Sequence, residues 1–577
     1  MKIPCYLLGL VCALHILTGN AQSDPAADLA KKTLASLTLE KKAAQLVCTE
    51  ISGNYITDDD PKFQSWLSLA RDHGVGGFVI YGGTPHSVCI LLNKLQVAAG
   101  IPILISTDFE GGPGQQVAGA SEFPSNMAFA AAGDPDLMYR AAKIMGGEGK
   151  ALGIHLTYTP VSDVSLSPDN PQESGRSFGA NMELMKKLLN AYVKGYHESG
   201  MLTTSKHFPG RGDMKGGPAY PSFTTLNKSA AELDANEFTA FRNAIDAGVD
   251  FMMTEHIAVP SITGGSMLPA SVEPKLVKGV IRDKLGFKGI ITSDDLWYDH
   301  VTARFGKEEV AIMALQAGHD IVLKPKDPVA TIHAIVEAVK SGKLSQEQID
   351  HSVYKLLYKK YALGLEKNKL VNIDNVSKAV GTAAHKAVVQ EVADRSVTLL
   401  KNDNVLPLKN FDAAKTIHVT IQKEEDQPNV RQLVRDMAVA FPGIKQYSLK
   451  PGVDRSLYEE IQKFAEGANR IVVSLFVQRD RHGDAAPLRN EDIDLLKKLS
   501  EQKSGNVVVM SFGNPHLIRK INFVPSYIVG YGEGGFYGNQ PVYFSSFIRI
   551  LKGELKPSGK LPISVTREMG IGWGLEY

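Results

Sequence analysis

Eight short apolar runs, each breaking off at polar or glycine-rich residues, set the strongest limit on how this chain can fold. They are QLVCTE, GGFVIYGG, PILISTDFEGG, IHLTYTPVSDV, LTTSKHFPG, DFMMTEHIAVP, GIITSDDLW and HDIVLKPKD. Runs that are apolar throughout, rather than at every second position, suit strands covered on both faces, as in parallel sheets. The stretches between them carry helical spacing. In MELMKKLLNAYVKGYHESG, for instance, Leu184, Leu188, Leu189 and Tyr192 fall on one face and Gly200 supplies a stop. Eight such βα units in a row predict a (β/α)8 barrel of the TIM type, with an open doubly wound sheet as the competing arrangement.

The 577 residues exceed what one hydrophobic core usually serves, and a 44% hydrophobic composition supports packing in more than one unit. The barrel rhythm stops after YKLLYKKYALGLEKN. The following KLVNIDNVSKAVGTAAHKAVVQEVADRSVTLLKNDNVLPLK reads as a connection and an amphipathic helix running into a turn. Beyond it, TIHVTI, RIVVSLF, NVVVMSFG and YIVGYG alternate with helical spacings such as IDLLKKL, which predicts a smaller α/β sandwich. The expected division is a leader over 1–21, a barrel over 22–368, a linker over 369–384 and a second domain over 385–577.

The leader is expected because MKIPCYLLGLVCALHILTGNAQSDP runs from Lys2 through an apolar stretch to the small-residue site Gly19-Asn20-Ala21. It predicts cleavage near Gln22 and an exported product, periplasmic or secreted. Val11 stands before Cys12 where a lipoprotein signal would want a small residue. Past the leader only Cys48 and Cys89 remain, too few for a disulfide framework, and the sequence leaves open whether they bridge. No later segment supplies the ~20 apolar residues of a membrane span. Sixty-three basic against 62 acidic side chains leave almost no net field, which argues against nucleic acid or another polyanion as partner.

Barrel enzymes draw catalytic side chains from the carboxyl ends of their strands. Here those ends carry Asp108, Glu110, Asp163, Lys206, His207, Glu255, His256, Asp294, Asp295 and Lys324. Any single carboxylate there could merely cap the following helix, but their accumulation at nearly every strand end points to a site. Neither a GxxxxGK[ST] phosphate loop, nor a GxGxxG fingerprint, nor a zinc or calcium spacing occurs, so no metal and no organic cofactor is expected. Clustered carboxylates in a barrel suit the cutting of glycosidic bonds, where one carboxylate attacks and a second group protonates the leaving oxygen.

Six motifs in order sharpen this: DFEGG (108–112), GRSFG (175–179), KHFPGRGD (206–213), SDDL (293–296), LLKNDNVLPL (399–408) and GKLPIS (559–564). Together they resemble glycoside hydrolase family 3, and the KHFPG element is similar to its β-N-acetylglucosaminidase (β-N-acetylhexosaminidase) branch. The resemblance implies a retaining glycosidase acting on an oligosaccharide or aminosugar glycoside. Asp294 would be the nucleophile, and Asp108, Arg176, Lys206 and His207 would hold the terminal sugar by its hydroxyls. Arg176 could equally form a salt bridge to Asp163, and His256, which matches a pocket position, could equally be a satisfied wall histidine. Asp295 is expected to face away from Asp294, because successive strand side chains alternate.

The chain departs from that family at the proton donor. Its Asp-x-His pair is replaced by Gly217, Pro218 and Ala219, Arg211 stands for a histidine, and Pro113-Gly114 replace an arginine. Arginine does not give up a proton at ordinary pH. The alternatives are a donor at Asp213 or Glu533, a reaction that needs little acid help (a good leaving group, or phosphate as acceptor), a plain β-glucosidase, or a lapsed enzyme that binds sugar. From another class comes a Schiff base on Lys206 or Lys324, as in barrel aldolases.

Overall fold

The computed structural model describes residues 24–577 apart from 168–169, 171–174, 213–222, 409–411, 423–427, 478–487, 503–505 and 533–540. The eight runs become eight strands: β1 (Val47–Ser52), β2 (Gly77–Tyr81), β3 (Leu104–Thr107), β4 (Leu156–Thr157), β5 (Leu202–Phe208), β6 (Phe251–Thr254), β7 (Ile290–Ser293) and β8 (Val322–Leu323). They pair in parallel in chain order, with β8 beside β1. A bridge from Thr292 to Ile321, at the entry to β8, brings the two edges together and nearly closes the barrel.

The burial pattern explains why these runs lack a polar period. Cys48, Val79, Leu104, Leu156, Phe251, Met253, Ile290 and Leu323 pack together inside the barrel. Their alternating neighbours Val47, Phe78, Ile80, Ile105, Met252, Ile291 and Val322 pack outward against helices. With both faces buried, both sets must be apolar. The helix Met182–Glu198 shows the complementary logic. Asn181 caps it by accepting from the Leu184 N–H at 3.1 Å, and Met185, Leu188, Leu189, Tyr192 and Val193 form the buried stripe. Gly200, at φ 82°, ends the turn in a conformation that other residues avoid.

The second unit is a six-stranded mixed sheet built from β9 (Thr398–Asn402), β10 (Thr416–Gln422), β11 (Lys445–Leu449), β12 (Arg470–Phe476), β13 (Val507–Ser511) and β14 (Ser526–Val529). The order is β9-β14-β13-β12-β10-β11, with only the β9/β14 pair antiparallel. On one face Val472, Val508, Met510 and Ile528 meet Tyr543, Phe544, Phe547 and Ile550 of the helix Val542–Lys552. On the other, Val419, Ile471, Val473 and Val509 join Ile461, Leu495 and Leu496. Four strands coincide with the expected runs. β11 was not legible because KQYSL is an edge strand that buries only Tyr447 and Leu449. β9 lies in the segment read as a helix running into a turn; its Leu399 and Leu400 are buried.

The two units share a seam. The Ala180 N–H donates to the Pro562 carbonyl at 3.0 Å, so GRSFG abuts GKLPIS, and the Lys560 N–H donates to Ala131 at 2.9 Å. Glu148, fully buried, accepts from the Ser121 N–H (2.8 Å) and hydroxyl (2.6 Å), from the Gly381 N–H (2.9 Å) and from His385 Nδ1 (2.6 Å). Cys48 and Cys89 are both free and buried. Among the described residues no helix is long and apolar enough to cross a membrane.

Candidate active site

The ends of β3 and β5 meet in a buried ionic array. Lys206 Nζ lies 2.5 Å from Asp108 Oδ1 and 2.9 Å from Glu110 Oε1. Arg176 clasps Glu110 with two parallel bonds, Nε to Oε2 at 2.8 Å and Nη2 to Oε1 at 2.6 Å, the fork geometry that suits guanidinium and carboxylate. Tyr81 donates its hydroxyl to Asp108 Oδ2 at 3.1 Å. Burial by itself would raise Glu110, yet the charges of Arg176 and Lys206 hold it well below the usual carboxylate range. Burial likewise opposes the charge on Lys206, and Asp108 and Glu110 outweigh it and hold the ammonium above its ordinary value. The partner of Arg176 is thus Glu110, where the sequence had offered Asp163.

Asp163 instead holds His207. Nδ1 of the imidazole lies 2.7 Å from Asp163 Oδ2, and Nε2 lies 3.3 Å from Arg176 Nη2. A guanidinium can only donate, so Nε2 accepts and the ring proton sits on Nδ1, facing the carboxylate. Burial, reinforced by Arg211, Arg176 and Lys206, pushes His207 well below its ordinary value, which agrees with a neutral ring. His207 therefore offers a fixed polar edge rather than a proton for transfer.

On the far side, β6 and β7 bring Glu255 and Asp294 to the mouth. Asp294 is 7% exposed, its Oδ1 accepts from the Asp295 N–H at 2.7 Å, and its Oδ2 accepts from Arg211 Nη2 at 3.2 Å. The same nitrogen donates to Glu255 Oε2. One atom each of His207, Glu255 and Asp294 lies within 4.8 Å of the others, a spacing that could suit a metal ion. Arg211 already bridges the two carboxylates.

Asp295 turns the other way, to Lys324 Nζ at 2.8 Å and Trp297 Nε1 at 3.2 Å. Burial lifts it to about 6, against the pull of Lys324 and with the help of the Asp294 charge. Lys324 also meets Glu50 at 2.8 Å; burial opposes its charge, but Asp295 and Glu50 hold it above the ordinary lysine value. Lys206 and Lys324 are both ammonium groups locked in ion pairs, the opposite of the free amine that a Schiff base needs. His256 is satisfied between Ser271 Oγ (2.8 Å) and the Asp295 carbonyl (3.0 Å), and burial lowers it to about 4. It is a wall residue.

The array thus brings Asp108, Arg176, Lys206 and His207 to one side of the mouth and Asp294 to the other. Glu110, Glu255 and Arg211 join them. The sequence singled out Arg211 only as a departure from the family pattern, and no local signal distinguishes Glu255 from a helix cap. Gly212 brings Arg211 in: a Cβ at that position would fall 1.3 Å from the Val164 carbonyl oxygen, so only glycine lets the loop lie against β4's exit. Positions 213, 217–219 and 533 lie outside the described residues. A small cavity lined by Gln45, Cys48, Gly76, Gly77 and Tyr158 sits inside the barrel, away from these mouth carboxylates.

A parallel barrel whose mouth sets carboxylates beside groups that can hold hydroxyls, backed by an α/β sandwich, defines a two-domain glycosidase. Residues 38–358 match the glycosyl hydrolase family 3 N-terminal domain and residues 397–572 its C-terminal domain, and the chain belongs to this family. It is 27% identical over 565 residues to a beta-N-acetylglucosaminidase/beta-glucosidase of Cellulomonas fimi, spanning 92% of this chain and 95% of that one. Among solved structures it resembles a family 3 beta-N-acetylglucosaminidase from Paenibacillus sp. str. FPU-7, with TM-score 0.76, 27% identity and coverage of 92% and 99%. It shares its fold with the beta-glucoside phosphorylase BglX, at TM-score 0.81, 23% identity and coverage of 94% and 97%.

Proposed function

We propose that this protein is an exported retaining β-glycosidase that removes terminal β-linked sugars, N-acetylglucosamine foremost, through a covalent intermediate on Asp294. The observation that carries the reading is the Asp294 carboxylate at the end of β7, oriented by Arg211 and the Asp295 N–H and facing the Asp108–Lys206–Glu110–Arg176 array. In the first step an Asp294 oxygen bonds to the anomeric carbon while the bond to the leaving oxygen breaks and that oxygen takes a proton. In the second, water attacks the same carbon, the bond to Asp294 breaks, and the water's proton returns to the donor. Asp108, Arg176, Lys206 and His207 hold the ring in place. Fixed carboxylates and charged donors need little reorganisation as charge develops on the sugar.

The candidates for the donor are Asp213 and Glu533. Acid assistance is typically worth ~10²- to 10⁴-fold, so an enzyme with a weak donor cleaves activated glycosides far better than ordinary ones. The N-acetylglucosaminide preference is supported by the names of the Cellulomonas and Paenibacillus relatives. A β-glucoside is the second reading, favoured by the double name of the Cellulomonas protein.

The test compares an aryl β-N-acetylglucosaminide bearing a good leaving group, its β-glucoside counterpart and chitobiose, in the wild type and in Asp294→Ala. Wild-type turnover that disappears in Asp294→Ala is expected; a variant that retains activity refutes the assignment. If chitobiose is also cut well, Asp213→Asn and Glu533→Gln identify the donor. Added inorganic phosphate distinguishes hydrolysis from phosphorolysis by whether a sugar phosphate is released.

A further inference from the structure

Two charged side chains at the mouth, Arg211 and Glu255, carry no bond-making or proton-transfer step in the reaction as described. Both are nearly sealed, at 4% and 5% exposure. Arg211 Nη2 bridges Glu255 Oε2 and Asp294 Oδ2, the second contact at 3.2 Å. Glu255 is fixed at its other oxygen by the His256 N–H at 2.7 Å, and the Arg211 N–H is anchored on Asp163 Oδ1 at 2.9 Å. The cluster is therefore fixed at several points, with the Arg211 guanidinium between the Glu255 and Asp294 carboxylates and uncharged His207 and the Asp163 carboxyl beside them.

Its charge balance has a chemical consequence. Without Arg211, two carboxylates within 4.8 Å would face each other unscreened, and close like charges resist joint ionisation. Without Glu255, the guanidinium would act on Asp294 alone, cancel its charge and remove the attraction for a sugar that turns cationic. With both present, one guanidinium stands between two carboxylates and neither effect is left unopposed. Of the other charged groups nearby, Asp295 pairs with Lys324, Lys206 with Asp108 and Glu110, Arg176 with Glu110, and Asp163 with His207. His256 bonds Ser271 and the Asp295 carbonyl, and burial lowers it to about 4.

We propose that Arg211 and Glu255 are a positioning pair that holds the Asp294 carboxylate in place yet leaves the pocket selective for positive charge, the charge of an oxocarbenium-like transition state. The proposal rests on Asp294 being the nucleophile.

Binding separates the possibilities. The wild type, Arg211→Gln, Glu255→Gln, the double variant and Arg211→Lys are titrated calorimetrically at pH 7 with a protonated iminosugar and with a neutral sugar lactam of the same configuration. Glu255→Gln should weaken the cation roughly tenfold or more while leaving the neutral ligand unchanged. Arg211→Gln should shift the preference in the opposite direction, and the acid limb of turnover should rise by roughly one to three pH units. The double variant, in which the two charge changes cancel, and Arg211→Lys should both return towards wild-type selectivity. Should a single variant fail to fold, those two carry the test.

Equal losses for both ligands, or a double variant no closer to wild type than either single one, would overturn the pair's electrostatic role. A wild type that binds neither ligand overturns it as well. A wild type that binds both yet cleaves no activated glycoside refutes the hydrolase reading, and the binding pattern then decides the pair by itself.

Discussion

Lys206 Nζ stands 2.5 Å from Asp108 Oδ1, and the same ammonium lies 2.9 Å from Glu110, so one lysine ties together two carboxylates at the barrel mouth. Removing one member of a buried ion pair leaves its partner uncompensated, at a cost of about 3–5 kcal/mol. Lys206→Met should lower the stability by about that amount in denaturant unfolding at pH 7 and also abolish sugar binding. Unchanged stability would mean that the two carboxylates find other cations.

Gly212 is the close-approach point of the loop that delivers Arg211. A methyl group there would overlap the Val164 carbonyl oxygen, and backbone cannot yield as a flexible side chain can. Gly212→Ala should therefore displace Arg211 from Asp294, costing activity at least as severely as Arg211→Gln while the barrel still melts cooperatively. Full activity in Gly212→Ala would show that the loop lies elsewhere in solution.

The stretch 381–385 is docked on the barrel through Glu148, which also binds the loop after β3. Hydrogen bonds to a charged group contribute about 1.5–3 kcal/mol each, and truncation leaves several buried donors unsatisfied. Glu148→Ala should cost about 3 kcal/mol or more. Tryptic cleavage at the exposed Lys378 and Lys386 should speed up. Unaltered proteolysis would place the docking energy in other contacts of the seam.

Acid should unfold the protein through its buried histidines. Burial lowers His256, His319 and His418 each to about 4 from an ordinary 6.5. Because the folded state prefers the neutral ring, this contribution is fully present above pH 6.5 and is lost as pH falls from 6.5 through about 4, on the order of 3 kcal/mol per histidine. Melting temperatures at pH 7, 5 and 4 should fall steeply. His418→Gln, which can still bond Gln446 and Ser474, should flatten the second domain's share. A profile unchanged by that substitution would assign the acid sensitivity to the barrel.

Much of the architecture was legible because it depends on local patterns. The eight strands follow from apolar runs that cannot be exposed on either face, and the helix Met182–Glu198 from one stripe of side chains and one cap. β11 escapes because an edge strand needs only two buried side chains, and β9 because its short run follows a helical pattern directly and resembles the turn expected there. The positions Asp108, Arg176, Lys206, His207 and Asp294 were identified by motif, and the structure gathers them at one mouth. The partner of Arg176 was not identifiable, since the choice between Glu110 and Asp163 depends on where two loops cross.

The sequence by itself determined which residues reach the mouth, because strand ends are written in runs of a few residues and in glycines that tolerate tight turns. Which charges meet was decided only in three dimensions: Arg211 reaches Glu255 across 44 positions and Asp294 across 83. Such pairs depend on barrel closure and on burial, which strengthens each charge's hold on its neighbours. Neither quantity is encoded in the spacing of residues along the chain.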